Sequence, residues 1–144
     1  RRAAFGSFHC RLALMSSSLS LANRSPVASM MVRPVRGKLS EHFAAEELAC
    51  PCDDCTRLVV HWALIELLQR LRERVGVIVV TSGYRCVEYN RRVGGVKGSL
   101  HICGMAADIQ AADLDPAQLA PLARGFGAGG RGPLPAPRAR GRGR

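Results

Sequence analysis

The feature that most constrains the fold is the way charge divides this chain of 144 residues into a middle and two ends. All eleven acidic residues lie between Glu41 and Asp115. Residues 39–123 carry eight Lys and Arg against those eleven acids, whereas the other thirteen basic residues lie in the two ends. A chain of this length accommodates one domain. We therefore expect a single, mildly acidic folded region between two basic ends.

The formal net charge of +10 at first suggests a nucleic-acid partner. A nucleic-acid-binding domain, however, carries basic residues interleaved with aromatic residues on its folded surface. Here the basic excess lies in the ends, so we expect no specific nucleic-acid partner. A basic-tailed nucleic-acid binder stays open as an alternative. Its DNA affinity would depend on salt and would survive deletion of residues 39–123.

Residues 1–37 are predicted to be a non-globular lead. Residues 15–24 are too short and too interrupted for a membrane span. Residues 11–22 match a signal peptide poorly, because four serines stand in the place of its apolar core. The chain begins with Arg1, and Met30 or Met31 would be a natural start. We therefore expect no membrane span, and the compartment stays unknown at this point.

Between the ends, the pattern predicts an α+β domain over residues 38–127, with a small antiparallel sheet and flanking helices. The clearest element is a helix over 58–75, whose apolar residues share one face and which ends before Gly76. The other predicted elements are a short helix starting near Ser40, a buried strand over 77–80, a short helix over 84–92, a strand over 105–110, and a last helix with Asp115 as N-cap and Pro116 at its first position.

Two residues in the segment Ser99–Asp108 have the chemistry of metal ligands. His101 and Asp108 offer a nitrogen and an oxygen, which are both ordinary zinc donors. A helix would separate two side chains seven residues apart by about 10 Å, and a straight strand by about 23 Å. Both reach one ion only if the chain doubles back, and Gly104 allows that bend.

The residues around this pair resemble the M15 family of zinc peptidases, in particular its D-Ala-D-Ala carboxypeptidase-like branch. The family pattern is Ser-Gly-Tyr-Arg, an Asn, Val-Gly-Gly, and then Ser-x-His-x-x-Gly-x-Ala-x-Asp. The resemblance begins near Leu39 and runs to about Gly127. The matching residues are Ser82, Gly83, Tyr84, Arg85, Asn90, Val93, Gly94, Gly95, Ser99, His101, Gly104, Ala106 and Asp108.

The resemblance implies a zinc metallopeptidase with one catalytic Zn²⁺, bound by His101 and Asp108. Arg85 would stabilise the charge that develops on the substrate carbonyl oxygen, since a guanidinium fork suits an oxyanion. Ser99 would contact the substrate or support a ligand, while Tyr84 and Asn90 would be structural. The implied partner is a peptidoglycan stem peptide, cleaved by a monomer with either DD or LD specificity. The implied location is the cell envelope, the exterior or a phage.

The resemblance ends where the family would supply its third zinc ligand. Family members continue after a Gly-Phe-Gly-like turn into a strand with a His-x-Asp or His-x-His pair. Residues 124–144 contain no acidic residue and no histidine. We predict a disordered, Gly/Arg/Pro-rich tail over 128–144 and hypothesise a frameshift near 127–130, with a genuine tail as the alternative. Zinc would then be held weakly and turnover would be poor, because the third ligand and the general base are both missing.

Other histidines and the cysteines are weaker candidates. We do not expect His9, His42 or His61 to replace the missing ligand, and His61 is expected to be a satisfied surface or packing residue. The spacing of Cys50, Cys52 and Cys55 allows a structural zinc with a fourth donor, or a disulfide. No second pair follows, so the interpretation without a structural metal is favoured. Cys86 and Cys103 are expected to be small core residues rather than nucleophiles.

A second function stays open beside the peptidase. The domain would then be a non-catalytic module that binds wall peptides and keeps the fold without the chemistry. Restoring a His-x-Asp strand would revive cleavage only if the domain is a peptidase.

Overall fold

The computed structural model describes residues 10–13, 26–28, 37–55 and 57–129. They form an α+β domain with a small antiparallel sheet and flanking helices, as the sequence predicts. The elements in chain order are β1 (Cys10–Ala13), β2 (Pro26–Ala28), α1 (Ala45–Leu48), β3 (Val60–His61), α2 (Trp62–Val75), β4 (Ile78–Ser82), α3 (Val87–Arg92), β5 (Ala106–Ala111) and α4 (Pro116–Gly125).

The main sheet has three antiparallel strands in the order β1-β5-β4. The central strand β5 is buried along nearly its whole length, and three of its six residues are alanine. Strand β4 buries Ile78 but leaves Val79 about 40% exposed. The prediction of a fully buried strand here was wrong, because β4 lies at the edge of the sheet and alternates its side chains between two faces.

The longest helix, α2, packs against β5 and α4 through one apolar face. Its buried residues are Leu64, Ile65, Leu67, Leu68 and Leu71. Gly76 ends the helix with a φ of 86°, and its N–H donates to the carbonyl of Arg72 at 3.0 Å. The helix begins four residues later than predicted, because Val60 and His61 are extended and pair with β2.

Helix α4 begins as predicted. The side chain of Asp115 accepts from the backbone N–H of Gln118 at 2.8 Å, and the Gln118 side chain accepts from the Asp115 N–H at 3.0 Å. This reciprocal capping satisfies two N–H groups that lack partners within the helix. Leu119 and Ala123 then face the core. The first helix, α1, is shorter and later than the sequence suggests, since it starts at Ala45 rather than near Ser40.

Strand β1 lies within residues 1–37, for which the sequence predicts a non-globular lead. Its four residues pair with β5 in register, with Arg11 opposite Asp108 and Leu12 opposite Ala107, and Cys10 and Leu12 are buried. The open edge of β5 accounts for this pairing, because unpaired backbone groups at a sheet edge bind another strand. Most of the remaining lead and the tail from residue 130 lie outside the described residues, so the boundaries at 38 and 127 stay predictions.

In the described part of the chain, no helix combines the length and apolar character that a bilayer crossing requires.

Candidate metal and substrate site

Asp108 lies in the middle of the central strand, where both neighbouring strands bring side chains to it. The register places Arg11 of β1 opposite Asp108 on one side and Ser82 of β4 opposite it on the other. The ladder between β4 and β5 is irregular at this point, between Val80 and Ser82. Asp108 is only 5% exposed, so its carboxylate is held among protein groups rather than in bulk water.

The turn before β5 brings His101 back towards Asp108. Its backbone N–H groups bond within the turn, from Ile102 to Ser99 and from Cys103 to Leu100. Gly104 closes the turn with a φ of 69°, in the left-handed region. A Cβ at this position would lie 2.2 Å from the carbonyl oxygen of Val59, so a side chain does not fit. The predicted bend at Gly104 is therefore confirmed.

His101 is oriented by one hydrogen bond and leaves its other ring nitrogen without one. Its Nδ1 lies 2.8 Å from the carbonyl oxygen of Gly83. Because a carbonyl only accepts, Nδ1 carries a proton, and in the neutral ring Nε2 then carries a lone pair. The ring is 1% exposed, and within the described residues Nε2 has no hydrogen-bond partner. This is the tautomer that a metal-binding histidine adopts when a backbone carbonyl orients it.

The distance between the two candidate ligands matches a shared ion. His101 Nε2 lies 3.5 Å from Asp108 Oδ2, which is longer than a good N–H···O bond. Two donors at the usual zinc distances and a tetrahedral angle stand about 3.4 Å apart. An unpaired buried nitrogen costs about 1–3 kcal/mol. A zinc ion between the two atoms would remove that cost, so the residues present fit the metal.

The carboxylate of Asp108 is kept ionised by its neighbours. Arg11 donates from Nε to Oδ1 at 2.9 Å, and Arg85 donates from Nη2 to Oδ2 at 2.9 Å. Burial by itself raises the pKa of Asp108, but His101 and Arg11 outweigh that effect and lower the pKa to about 2. The group is therefore an anion at neutral pH, as cation binding requires.

The two other predicted site residues lie beside the same pair. Arg85 is largely buried, and it also donates from Nε to the hydroxyl of Ser82 at 2.9 Å. Its backbone N–H donates to the carbonyl of His101 at 3.1 Å. Ser99 is buried, and its hydroxyl accepts from the N–H of His101 at 3.4 Å. The contact that Ser99 makes here supports the His101 turn, and its contact with substrate stays a prediction.

A groove of about 390 Å³ opens next to Arg85. One wall comes from α1 and the residues after it, and the other comes from β4, the loop after β4, and α3. The lining residues are Glu46, Glu47, Ala49, Pro51, Val80, Thr81, Ser82, Gly83, Arg85, Tyr89 and Val93. The groove therefore combines a cation, two carboxylates and several apolar side chains.

The described residues bring no third ligand to His101 and Asp108. No other His, Cys, Asp or Glu in this part of the chain lies close enough to form a group of three with them. His42 is exposed and bonds to Gln69 at 2.8 Å through Nδ1. His61 is buried, and its Nδ1 has no partner among the described residues, so the expectation of a satisfied histidine was wrong. His9 lies outside the described residues.

Tyr84 and Asn90 have surroundings that suit the structural role expected of them. Both are buried, and the Asn90 side chain donates to the carbonyl of Val96 at 3.0 Å. The N–H of Gly95 donates to the carbonyl of Asn90 at 2.8 Å. The Asn and Val-Gly-Gly parts of the motif thus hold the loop that leads to Ser99.

The sequence interpretation missed two residues. Arg11 contacts Asp108 from a segment that was assigned to the lead, and no local pattern marks it. Cys86 lies against Cys50 and Cys52, with sulfur–sulfur distances of 3.8 and 3.6 Å. It is only partly buried, and Cys103 is exposed, so Cys103 is not a core residue. In the sequence Cys86 is a single cysteine 31 residues after Cys55, so no short spacing connects it with Cys50 and Cys52.

Comparison with known proteins agrees with this geometry. No curated protein and no solved structure matches the chain. The family model described as Peptidase M15 matches residues 41–135, which include all four predicted site residues. This match covers about two thirds of the chain. The chain therefore belongs to the M15 family of peptidases, whose members are metallopeptidases.

Proposed function

We propose that this chain is a zinc-dependent peptidase domain that cleaves D-Ala-type peptide bonds of peptidoglycan, as a carboxypeptidase or an endolysin-like enzyme. His101 and Asp108 hold the zinc, Arg85 stabilises the developing oxyanion, and Ser99 supports the site next to the substrate. The observation that carries the proposal is the buried, unpartnered Nε2 of His101 at 3.5 Å from a carboxylate oxygen of Asp108.

When bound, zinc supplies a Lewis acid that polarises the scissile carbonyl and lowers the pKa of a water molecule. The chain's own groups prepare this site. The Gly83 carbonyl holds the proton of His101 on Nδ1, so that Nε2 is available to the metal. Arg11 and Arg85 keep the carboxylate of Asp108 ionised and fix its orientation.

Arg85 is suited to receive negative charge at the carbonyl oxygen. Within the described part of the chain it uses two of its five N–H groups, one on Ser82 and one on Asp108. Three N–H groups remain for a substrate oxygen. Because Arg85 is already held by those two bonds, it loses little conformational freedom when the substrate arrives.

The groove next to Arg85 suits a short peptide with small side chains. Its volume of about 390 Å³ falls in the range of small-molecule sites, about 300–1,000 Å³. Val80 and Val93 offer apolar surface for the methyl groups of D-Ala, while Arg85 offers a cation to a peptide carbonyl or terminal carboxylate. These features support a peptidoglycan stem peptide as the substrate.

With two protein ligands in place of three, zinc affinity is reduced by several kcal/mol and turnover is slow. The described residues supply no third ligand close enough to share an ion with His101 and Asp108. This part of the proposal predicts weak zinc binding together with slow, zinc-dependent cleavage.

The proposal is tested by following D-Ala release from a synthetic stem peptide ending in D-Ala-D-Ala, with an LD-linked peptide in parallel. We expect release that requires added zinc and is abolished in His101→Ala and Asp108→Ala. Arg85→Ala should lower kcat by about 10²–10³-fold, the usual cost of losing one oxyanion donor. His42→Ala is the matched control, since His42 is exposed and bonds to Gln69 instead.

Cleavage that persists in His101→Ala, or that a chelator does not inhibit, would contradict the assignment of the zinc ligands. Full activity with tight, equimolar zinc at His101 and Asp108 would instead contradict the argument from a missing ligand.

One observation favours a second candidate, a module that binds wall peptides without cleaving them. Both oxygens of Asp108 are occupied by guanidinium groups, and His101 and Asp108 are almost fully buried. Such a site would leave the groove to bind peptide on its own. In that case the stem peptide binds the zinc-free chain with undiminished affinity, and no D-Ala is released at any zinc concentration.

A further inference from the structure

Four cysteine sulfurs converge at one point, in a group that includes neither His101 nor Asp108. Cys50, Cys52 and Cys55 come from the loop after α1, and Cys86 is the N-cap residue of α3. All four Sγ atoms lie within 4.8 Å of one another, and the first three residues are buried. Two segments separated by about 30 residues of sequence therefore place their thiols together in the fold.

The distances between these sulfurs match a tetrahedral metal site. Cys50 Sγ lies 3.4 Å from Cys52 Sγ and 3.8 Å from Cys86 Sγ, and Cys52 Sγ lies 3.6 Å from Cys86 Sγ. Four thiolates bound to zinc at about 2.3 Å in a tetrahedron have sulfurs about 3.8 Å apart. A set of four cysteines is the donor set of closed, structural zinc sites.

Backbone donors support the charge that such a site would hold. The N–H of Tyr89 lies 3.4 Å from Cys86 Sγ, and the N–H of Cys86 lies 3.5 Å from Cys50 Sγ. Hydrogen bonds from the backbone to ligand sulfurs orient the ligands and delocalise the negative charge of a tetrathiolate centre. Both donors lie at the start of α3, at its N-cap residue and in its first turn, so the start of this helix forms part of the cysteine cluster.

A disulfide accounts less well for this arrangement. None of the six cysteines forms one in the structure, and a bond between any two members of the cluster would leave two more thiols at the same point. Cys50 and Cys52 are separated by one residue, which is too close for an unstrained disulfide loop. One tetrahedral ion uses all four sulfurs at once.

We propose that Cys50, Cys52, Cys55 and Cys86 bind one structural Zn²⁺, separate from the catalytic ion at His101 and Asp108. This ion ties the loop after α1 to the start of α3. The fourth donor was the piece that the sequence spacing did not reveal. Binding converts four thiols to thiolates and releases their protons to solvent, with no change of oxidation state.

The site also explains how the groove keeps its shape. Ala49 and Pro51, on one wall, flank Cys50, and Arg85, on the other wall, precedes Cys86. An ion shared between these two segments fixes the separation of the walls. If the proposed function is right, the same ion positions Arg85 for catalysis, although zinc binding by the cysteines does not depend on that function.

The test measures metal content and cobalt spectra of the full chain in a His101→Ala/Asp108→Ala background, where the proposed catalytic site is absent. We expect about one zinc per chain to remain. Exchange for Co²⁺ should give sulfur-to-cobalt charge-transfer bands in the near ultraviolet and the visible bands of tetrahedral cobalt. Cys86→Ser and Cys52→Ser each remove one of the four thiolates, so they should lower the intensity of the charge-transfer bands and weaken zinc binding by more than about 100-fold, beyond the usual effect of an outer-shell partner.

Cys103→Ser is the matched control, because Cys103 is exposed and lies outside the cluster. It should keep the zinc and the cobalt spectrum. A protein that binds no metal in this background, that holds iron in place of zinc, or that keeps the cobalt bands at full intensity in Cys86→Ser would overturn the proposal. Circular dichroism of each serine variant at saturating zinc separates loss of the site from loss of the fold. A Cys52→Ser or Cys86→Ser variant that is folded and still binds zinc as tightly as the parent also refutes the proposal.

Discussion

Gly104→Ala separates the two physical reasons for glycine in the turn that carries His101. The first reason is the backbone, because Gly104 has a φ of 69°. The second is space, because a Cβ there would lie 2.2 Å from the Val59 carbonyl oxygen and 2.7 Å from Val60 Cα. These neighbours are backbone atoms at the start of β3, so they cannot rotate out of the way.

The chain contains a control that shares only the first reason. Gly98 has a φ of 78°, and nothing lies within 4 Å of a Cβ built on it. Gly98→Ala should therefore lower the free energy of unfolding only by the cost of a left-handed backbone at a residue with a side chain, about 1–2 kcal/mol. Gly104→Ala adds a steric term comparable to overpacking, about 1–3 kcal/mol. We expect Gly104→Ala to lower the free energy of unfolding by about 2–5 kcal/mol.

The assay is urea unfolding of the two variants and the parent chain at one fixed zinc concentration. It is repeated in a His101→Ala background, so that lost zinc affinity does not add to the measured difference. Equal destabilisation by Gly104→Ala and Gly98→Ala, within about 0.5 kcal/mol, would refute the close-approach argument. Of the two variants, only Gly104→Ala should weaken zinc binding by His101, because its steric clash displaces the turn that carries His101. The Gly104 carbonyl, which accepts from the His61 N–H, would move with that turn.

Three further predictions concern stability. The lowered pKa of Asp108 adds about 2 kcal/mol to the free energy of unfolding above pH 4, and this contribution is lost as the pH falls towards 2. Over that pH range, the difference in unfolding free energy between the parent chain and Asp108→Asn should therefore shrink. Asp115→Ala should lower the free energy of unfolding by about 1 kcal/mol because helix α4 loses its N-cap, whereas Asp113→Ala, at an exposed residue, should change it little. Thermal unfolding of the two variants measures this difference. Leu68 is 0% exposed, so Leu68→Ala should lower the free energy of unfolding by about 2–5 kcal/mol, measured by urea unfolding. Val96 is 73% exposed, so Val96→Ala should lower it by less than about 0.5 kcal/mol.

Local chemistry made much of this fold predictable. The helix that ends at Gly76 follows from apolar periodicity and a glycine that adopts a positive φ. The last helix follows from Asp115, whose side chain satisfies an N–H that any helix start leaves open. The bend at Gly104 was predicted from the expectation that His101 and Asp108 share one ion, and the positive φ of Gly104 confirms the bend. The two helix ends depend on interactions within a few residues of sequence, whereas the Gly104 turn also packs against Val59 and Val60.

Long-range pairing was not predictable in the same way. Strand β1 joins β5 across about 95 residues, and the short segment Cys10–Ala13 has no local pattern that distinguishes it from the surrounding lead. Arg11 therefore could not be connected with Asp108 from the sequence. His61 was expected on a helix, but pairing with β2 holds it in an extended conformation and buries its ring. Sheet pairing depends on which edges meet, and this is a property of the folded chain.

The sequence by itself determined the family, the α+β class and the His101–Asp108 pair, because these can be recognised from motif residues and from short-range periodicity. Only the tertiary structure decided what surrounds the pair: two arginines on Asp108, a carbonyl that sets the tautomer of His101, and a groove beside Arg85. It also brought Cys86 to the three cysteines of the earlier loop. The physical reason is the same in both cases, since distances between residues far apart in sequence are set by packing and by strand register.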